Sequence, residues 1–230
     1  MRKVNVSPPI IVHYEETYFD IANNFKSLHI GNEIASGDRG VIYELTNDPT
    51  KVIKVMVIGD DENFEMTMAT FKHEVRMNEL AFELNLGVQL YKNGTFEMKR
   101  KGTDRASPEL VPFCYFITTK LDETFSGMLE RTLPSLSANT PKMTDLNLLL
   151  SDLYDRQVAN GFMHGDLTHF GNIMFDKTTH KLYFIDLGGS HIENNKKIDI
   201  NKQWERLKRN IKNDYEDQTA IIDELFNQIY

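Results

Sequence analysis

Two short stretches hold residue types that could do phosphoryl chemistry. The first is His164-Gly165-Asp166-Leu167-Thr168-His169-Phe170-Gly171-Asn172. The second is Phe184-Ile185-Asp186-Leu187-Gly188-Gly189. Asp166 can accept a proton from an attacking hydroxyl. Asn172, across a short loop, and Asp186, at the end of an apolar strand, offer oxygens to a divalent cation. Mg²⁺ takes few protein ligands and leaves the rest to phosphates and water. A proton acceptor beside two hard oxygen ligands is what phosphoryl transfer requires. Gly188 lets the chain turn directly after Asp186.

Two upstream features extend the pattern. Ala35-Ser36-Gly37-Asp38-Arg39-Gly40 lies between two apolar segments. Gly37 and Gly40 would permit positive φ and close approach of a phosphate, although a glycine-bearing hairpin turn reads the same way by itself. Ile42 would aim an apolar side chain at a base. Lys54 sits between Ile53 and Val55, and a lysine in apolar surroundings needs an anionic partner or a shifted pKa. Glu74 is the expected partner because Phe71 and Val75 put that side of the next helix near the core. Glu79 is the alternative carboxylate, Lys51 the alternative lysine, and a solvent-facing Lys54 the simpler outcome.

The secondary structure that carries these residues follows from periodicity. Residues 1–27 read as an extension, with Pro8 and Pro9 as breakers and Tyr18, Ile21, Ala22 and Phe25 at helical spacing. Leu28–Ser36, Val41–Leu45 and Lys51–Ile58 read as three strands of an antiparallel meander, with Asn47-Asp48-Pro49 as a turn. Glu62–Leu86 reads as a helix capped by Gly87. Val88–Lys99 reads as a strand kinked at Asn93-Gly94, Arg100–Glu109 as a loop, and Val111–Lys120 as a buried strand. Helices then dominate: Glu123–Thr132, and Thr144–Asn160 with Thr144 as N-cap. Leu133–Pro141 links the two. A hairpin of Ile173–Phe175 and Leu182–Ile185 follows. Two late helices are marked by Trp204, Leu207 and Ile211, and by Ala220, Ile221, Leu225 and Ile229. The fold class is therefore α+β, a sheet with one helix followed by a mainly helical half. The boundary falls near Lys120–Glu123, giving segments 1–27, 28–120 and 121–230. A cleft between two such halves is a natural ligand site.

In this order, the motifs resemble those of the protein-kinase-like superfamily. Ile34–Tyr43 resembles the glycine-rich loop, Val52-Ile53-Lys54 the strand of the nucleotide lysine, and Glu74 its helix partner. His164-Gly165-Asp166-Leu167 with Asn172 resembles the catalytic loop, and Asp186-Leu187-Gly188 the metal-binding motif. The His-Gly-Asp form is most similar to compact atypical kinases, the RIO family and the small kinase of the KEOPS complex. Aminoglycoside and choline phosphotransferases are more distant. The resemblance covers roughly residues 28–190. It implies a bilobal fold with an antiparallel N-lobe sheet plus one helix and a reduced, mainly helical C-lobe.

It also implies an ATP- and Mg²⁺-dependent kinase. ATP would lie between the lobes, its adenine against Ile34, Ile42 and backbone near Thr119, Lys120 and Leu121. Lys54, held by Glu74, would bind the α and β phosphates. Asn172 and Asp186 would hold metal, and Asp166 would deprotonate the acceptor. Several positions depart from the pattern. Ala35 replaces the usual first glycine. Thr168 replaces a lysine, the Asp166–Asn172 loop is one residue longer, and His169 could face phosphate. Gly165 replaces the arginine that holds a phosphorylated activation loop. No Ala-Pro-Glu-like motif follows Asp186. About forty residues remain after Asp186, too few for a full peptide-docking lobe. A partner protein or a second copy would complete the short C-lobe, and phosphorylation at Ser190 is not expected as a switch. The favoured acceptor is a protein serine or threonine. The alternatives are a small-molecule kinase, its acidic pocket drawn from Asp214, Glu216, Asp217, Asp223 and Glu224, and a nucleotide-binding scaffold without turnover.

Composition bounds these readings. The 230 residues carry a net charge of −8, with 40% hydrophobic and 26% charged residues, ordinary for a globular chain. That sign disfavours direct nucleic-acid or anionic-membrane binding. The basic cluster Lys196, Lys197, Lys202, Arg206, Lys208, Arg209 and Lys212 reads as a solvated helix face. The single cysteine, Cys114, lies in an apolar run. It reads as a buried small hydrophobe. Ile10–Val12 is too short for a signal-peptide core, and no run reaches the roughly 18 apolar residues of a membrane span. A cytoplasmic location is expected.

Overall fold

A computed structural model of the chain describes residues 18–19, 28–37, 40–58, 64–100, 110–136, 140–168, 170–193, 197–227 and 229. They divide into two compact units. The first holds the residues up to Val75 and Gln89–Lys120; the second holds Arg76–Val88 and Leu121 onward. The fold class is α+β.

The first unit is built on an antiparallel sheet. Its strands are β1 (Tyr18–Phe19), β2 (Ile30–Gly37), β3 (Gly40–Leu45), β4 (Lys51–Val57), β5 (Leu90–Arg100) and β6 (Leu110–Thr119). They are ordered β1-β5-β6-β4-β3-β2, and the sequential β2-β3-β4 meander is present. Alternation assigns the faces. Val41, Tyr43 and Leu45 alternate with partly exposed neighbours on β3. They pack with Ile53, Val55, Phe113, Tyr115 and Ile117 on one side of the sheet. The intervening residues Met56, Cys114 and Phe116 form the other side, joined there by Phe71 of helix α1 (Phe64–Glu83). Because side chains on a strand alternate, Lys54 shares the Met56 face, the one α1 covers.

Several local expectations change here. Tyr18–Phe19 is not helical. It pairs as an edge strand with Arg100 and Lys99; Ile21, Ala22 and Phe25 lie outside the described residues, as do 101–109 of the expected loop. Strand β5 has its irregularity between Leu90 and Lys92 rather than at Asn93-Gly94. Gly94 fits because a Cβ there would sit 3.0 Å from the Tyr115 ring. The left-handed residue after α1 is Asn85, φ 57°, not Gly87. The Leu86 and Gly87 amides both return to the Ala81 carbonyl, and asparagine tolerates this conformation well.

In the second unit, helix α2 (Phe125–Thr132) is capped by the Thr124 hydroxyl, which accepts from the Gly127 amide. Helix α3 (Pro141–Asn160) starts earlier than expected. Its cap is Thr140, accepting from the Met143 amide at 3.3 Å, with Pro141 in the first turn. Thr144 is instead inside the helix, its hydroxyl donating to the Thr140 carbonyl. Gly161, φ 58°, ends α3. Leu146, Leu149, Leu150 and Leu153 line the buried stripe of α3. Against it packs α4 (Lys197–Asp214), whose Ile200, Trp204, Leu207 and Ile211 recur at steps of three and four. Trp204 Nε1 donates to Gln157 Oε1 at 2.6 Å, and Gln157 Nε2 donates to the Phe162 carbonyl. This satisfies the buried amide and indole completely enough to tie α4 to the end of α3. Helix α5 (Thr219–Phe226) adds Ile222, Leu225 and Phe226 to the same core, while Ala220 is exposed.

Short strands frame the loop of interest. β7 (Glu123–Thr124), β9 (Ile173–Asp176) and β10 (Lys181–Phe184) form one small sheet, and β8 (Phe162–Met163) pairs with β11 (His191–Ile192). Among the described residues, no helix is long and apolar enough to cross a membrane.

Candidate active site

In the first unit, Lys54 Nζ lies 2.7 Å from Glu74 Oε1, with side-chain exposures of 13% and 2%. Helical spacing explains the choice of carboxylate. Phe71, Glu74, Asn78 and Ala81 are buried along one face of α1, whereas Glu79 is exposed. Lys51 is committed elsewhere, 2.8 Å from Asp48. Lys54 also lies 5.6 Å from the Phe116 ring centroid. A buried ion pair is weak as a source of stability, because desolvation offsets much of the attraction. It does hold the ammonium in one place. Ile42 is directly opposite Lys54 in the β3–β4 register, so a half-buried apolar side chain shares the lysine's face.

The glycine-rich turn differs from expectation. Gly40 has φ 147°, and a Cβ there would meet the Val55 carbonyl at 2.6 Å. Its requirement comes from the neighbouring strand. Gly37 has no positive φ, and nothing lies within 4 Å of where its Cβ would be. Asp38 and Arg39 lie outside the described residues. Ile34 is 45% exposed.

At the expected adenine contacts, the Thr119 amide donates to the Gln89 carbonyl and the Lys120 amide to the Thr50 carbonyl. Neither amide is available to a base, so any main-chain contact from these two falls to their carbonyls. The Lys120 ammonium pairs with Glu44 at 2.8 Å. Leu121 is buried with Val88 and Tyr183 in the second unit.

In the second unit, four hydrogen bonds close a circuit. Buried His164 donates from Nε2 to the Ile185 carbonyl at 2.9 Å. The Ile185 amide donates to the Asn172 carbonyl at 3.0 Å. Asn172 Nδ2 donates to the Asp166 carbonyl at 2.9 Å. The Asp166 amide returns to His164 Nδ1 at 3.3 Å. One ring nitrogen donates and the other accepts, which defines a neutral imidazole. Burial lowers the His164 pKa in the same direction, opposed by the Ile185 bond and the nearby charges of Asp186 and Asp166.

Two further contacts brace the loop. Ser190 Oγ donates to the His164 carbonyl at 2.7 Å and is 1% exposed. Gly165 has φ 82°, and a Cβ there would stand 2.1 Å from the Gly189 carbonyl oxygen. Only glycine fits, so an arginine at 165 is excluded by the backbone itself.

Asp166 and Asn172 are both half-buried, and the Asp166 side chain accepts from Thr168 Oγ1 at 2.6 Å. Asp186 is also half-buried and adopts the left-handed conformation, φ 55° and ψ 60°. Asn172 spends its donor on the loop, which leaves its side-chain oxygen as the group able to meet a cation. With Asp186 this supplies two hard oxygens, a donor set that fits Mg²⁺ and its preference for few protein ligands. Among the described residues, no cluster of three or more His, Cys, Asp or Glu side chains forms a fuller cage. His169 lies outside the described residues.

Asp223 is bound by Lys208 at 2.9 Å and Lys212 at 2.8 Å, bonds that lower its pKa and remove it from an acidic pocket for a cationic substrate. The same contacts, with Lys202–Asp199 at 2.6 Å, neutralise part of the basic face of α4. Cys114 is buried, and desolvation first of all pushes its thiol up to about 12. The bracing roles of Ser190 and Thr168, and of Asn210, whose Nδ2 donates to the Thr168 carbonyl at 2.7 Å, had no signal in spacing. Ser190 and Asn210 bond to main-chain atoms 26 and 42 residues away, and the Thr168 hydroxyl is one of several polar groups the loop offers to the Asp166 carboxylate. Compared with known proteins, the chain matches no protein-family model and no curated protein.

Proposed function

We propose that this chain is a compact atypical kinase of protein-kinase-like bilobal fold, moving the γ-phosphate of ATP to a protein serine or threonine hydroxyl. The observation that carries the reading is the closed hydrogen-bond circuit through His164, Ile185, Asn172 and Asp166. It fixes the backbone of the proposed base, of one proposed metal ligand, and of the residue preceding the other. Rigid placement of few groups suits a reaction catalysed mainly by positioning and charge neutralisation.

In this reading Asp166 orients the acceptor hydroxyl and takes its proton. Lys54 binds the α and β phosphates, and Glu74 keeps its ammonium in place. Asn172 and Asp186 hold Mg²⁺, which neutralises phosphate charge when bound. Ile34 and Ile42 contribute apolar contact for the base, and carbonyls near Thr119 and Lys120 its polar contact. A protein substrate belongs to the same proposal, as does a cytoplasmic location.

The test is γ-labelled ATP with Mg²⁺ and a generic protein substrate. Wild type should label protein. Asp166→Ala should lose transfer while still binding ATP. Transfer by that variant at the wild-type level overturns the role of Asp166. Thermal stabilisation by ATP with no labelling of protein or of a small-molecule panel overturns the enzyme reading in favour of a scaffold.

A further inference from the structure

We infer that Thr168 is a positioning residue for the Asp166 carboxylate, fixing which of its two oxygens is left for the acceptor hydroxyl. The inference rests on the kinase reading above. Thr168 Oγ1 donates to Asp166 Oδ1 at 2.6 Å. A hydroxyl bonded to a carboxylate this closely makes a charge-assisted contact, stronger than a neutral one. It removes one lone-pair region of Oδ1 and leaves Oδ2 as the proton acceptor. It also fixes rotation about the Cβ–Cγ bond, a broad and soft torsion for aspartate.

The threonine is itself held. The Asn210 side-chain amide of α4 donates to its carbonyl at 2.7 Å, and the preceding Leu167 is 2% exposed in the core. On the other side, Asp166 is gripped through its own amide by His164 and through its carbonyl by Asn172. The main chain is therefore set by His164, Asn172 and Asn210, and Thr168 sets the carboxylate. A hydroxyl committed to Asp166 is not free to bind the transferred phosphate, so Thr168 does not stand in for the lysine whose place it occupies. Its task concerns the acceptor side of the reaction.

The test compares Thr168→Ser and Thr168→Val in the full-length chain, with steady-state ATP turnover and labelling of a generic protein. Serine keeps the donor and should keep kcat near wild type. Valine keeps the shape and loses the donor; kcat should fall on the order of 10- to 100-fold, the scale of a misplaced catalytic group, with KM for ATP and the melting temperature close to wild type. Equal kcat for valine and wild type overturns the inference and leaves the kinase reading standing. A fall in which serine and valine lose equally, or in which KM for ATP rises while kcat holds, also overturns it. A wild-type chain that turns over no ATP with any acceptor overturns the kinase reading, and this inference with it.

Discussion

Asn172 donates its side-chain amide to the main-chain carbonyl of Asp166 across a six-residue separation, at 2.9 Å. The bond closes the loop on itself and determines how the asparagine is turned. Its nitrogen faces inward to the loop, so its oxygen faces away. Asn172→Asp removes the donor and sets a carboxylate oxygen against a carbonyl. We expect about 1 kcal/mol of lost stability in a half-buried site. We also expect turnover at least about 10-fold lower, with a changed Mg²⁺ concentration for half-maximal rate. Chemical denaturation and a Mg²⁺ titration check both; an unchanged Mg²⁺ requirement would remove Asn172 from the metal site.

Lys54 and Glu74 predict an asymmetric mutational pattern. Lys54→Met leaves a carboxylate that is 2% exposed without its 2.7 Å partner. It should cost roughly 3–5 kcal/mol, the usual penalty for breaking a buried pair by removing one partner. Combining Lys54→Met with Glu74→Leu should recover most of that loss, because no charge then remains buried. Urea unfolding of the two variants decides it. If the double variant is as unstable as the single one, desolvation is not what makes the pair matter.

Gly165 and Gly189 touch, yet only one of them should be intolerant. Alanine at 165 would need φ 82° and a Cβ 2.1 Å from the Gly189 oxygen; alanine at 189 would find its nearest neighbour, Gly165 Cα, at 3.8 Å. Gly165→Ala should cost about 3 kcal/mol or more from left-handed strain and overlap. Gly189→Ala should stay within about 1 kcal/mol. Melting temperatures of the two proteins measure the contrast, and similar losses would show that the close approach is not rigid.

His164 gives a pH dependence with a definite sign. Its folded-state pKa is lowered from 6.5, chiefly by burial. Above that value neither the folded nor the unfolded chain carries the proton, and His164 adds no slope. As the pH falls through 6.5, the unfolded chain takes up a proton that the folded chain refuses, so stability drops until the folded pKa is reached. The slope approaches ~1.4 kcal/mol per pH unit at most. Subtracting the profile of His164→Gln from wild type isolates it. A difference that is flat below neutral pH would mean that His164 protonates equally in both states.

Much of the architecture was legible in local pattern. Short apolar-rich runs at Val41–Leu45 and Lys51–Ile58 marked strands, and the three-and-four spacing of Trp204, Leu207 and Ile211 marked a helix. Boundaries were less legible where two residues of one type competed. Thr140 and Thr144 both suit an N-cap, and Pro141 is the signal that favours the first. Gly87 drew attention as a cap, but Asn85 takes the left-handed position. The helical spacing that buries Phe71 also buries Glu74, three residues on, and that signal separated Glu74 from Glu79.

Which chemical groups exist, and the order in which they come, is a matter of covalent order: Lys54, Glu74, Asp166, Asn172 and Asp186. Covalent order and side-chain period are local properties, and they survive without any knowledge of partners. The tertiary structure alone decided what each polar group spends its hydrogen bonds on. The amides of Thr119 and Lys120 are consumed by other strands and turns, and Ser190 is buried against His164. The Thr168 carbonyl is reached by Asn210 from 42 residues away. A buried donor or acceptor must find a partner wherever the packed chain brings one, and that choice is written in no single stretch of sequence.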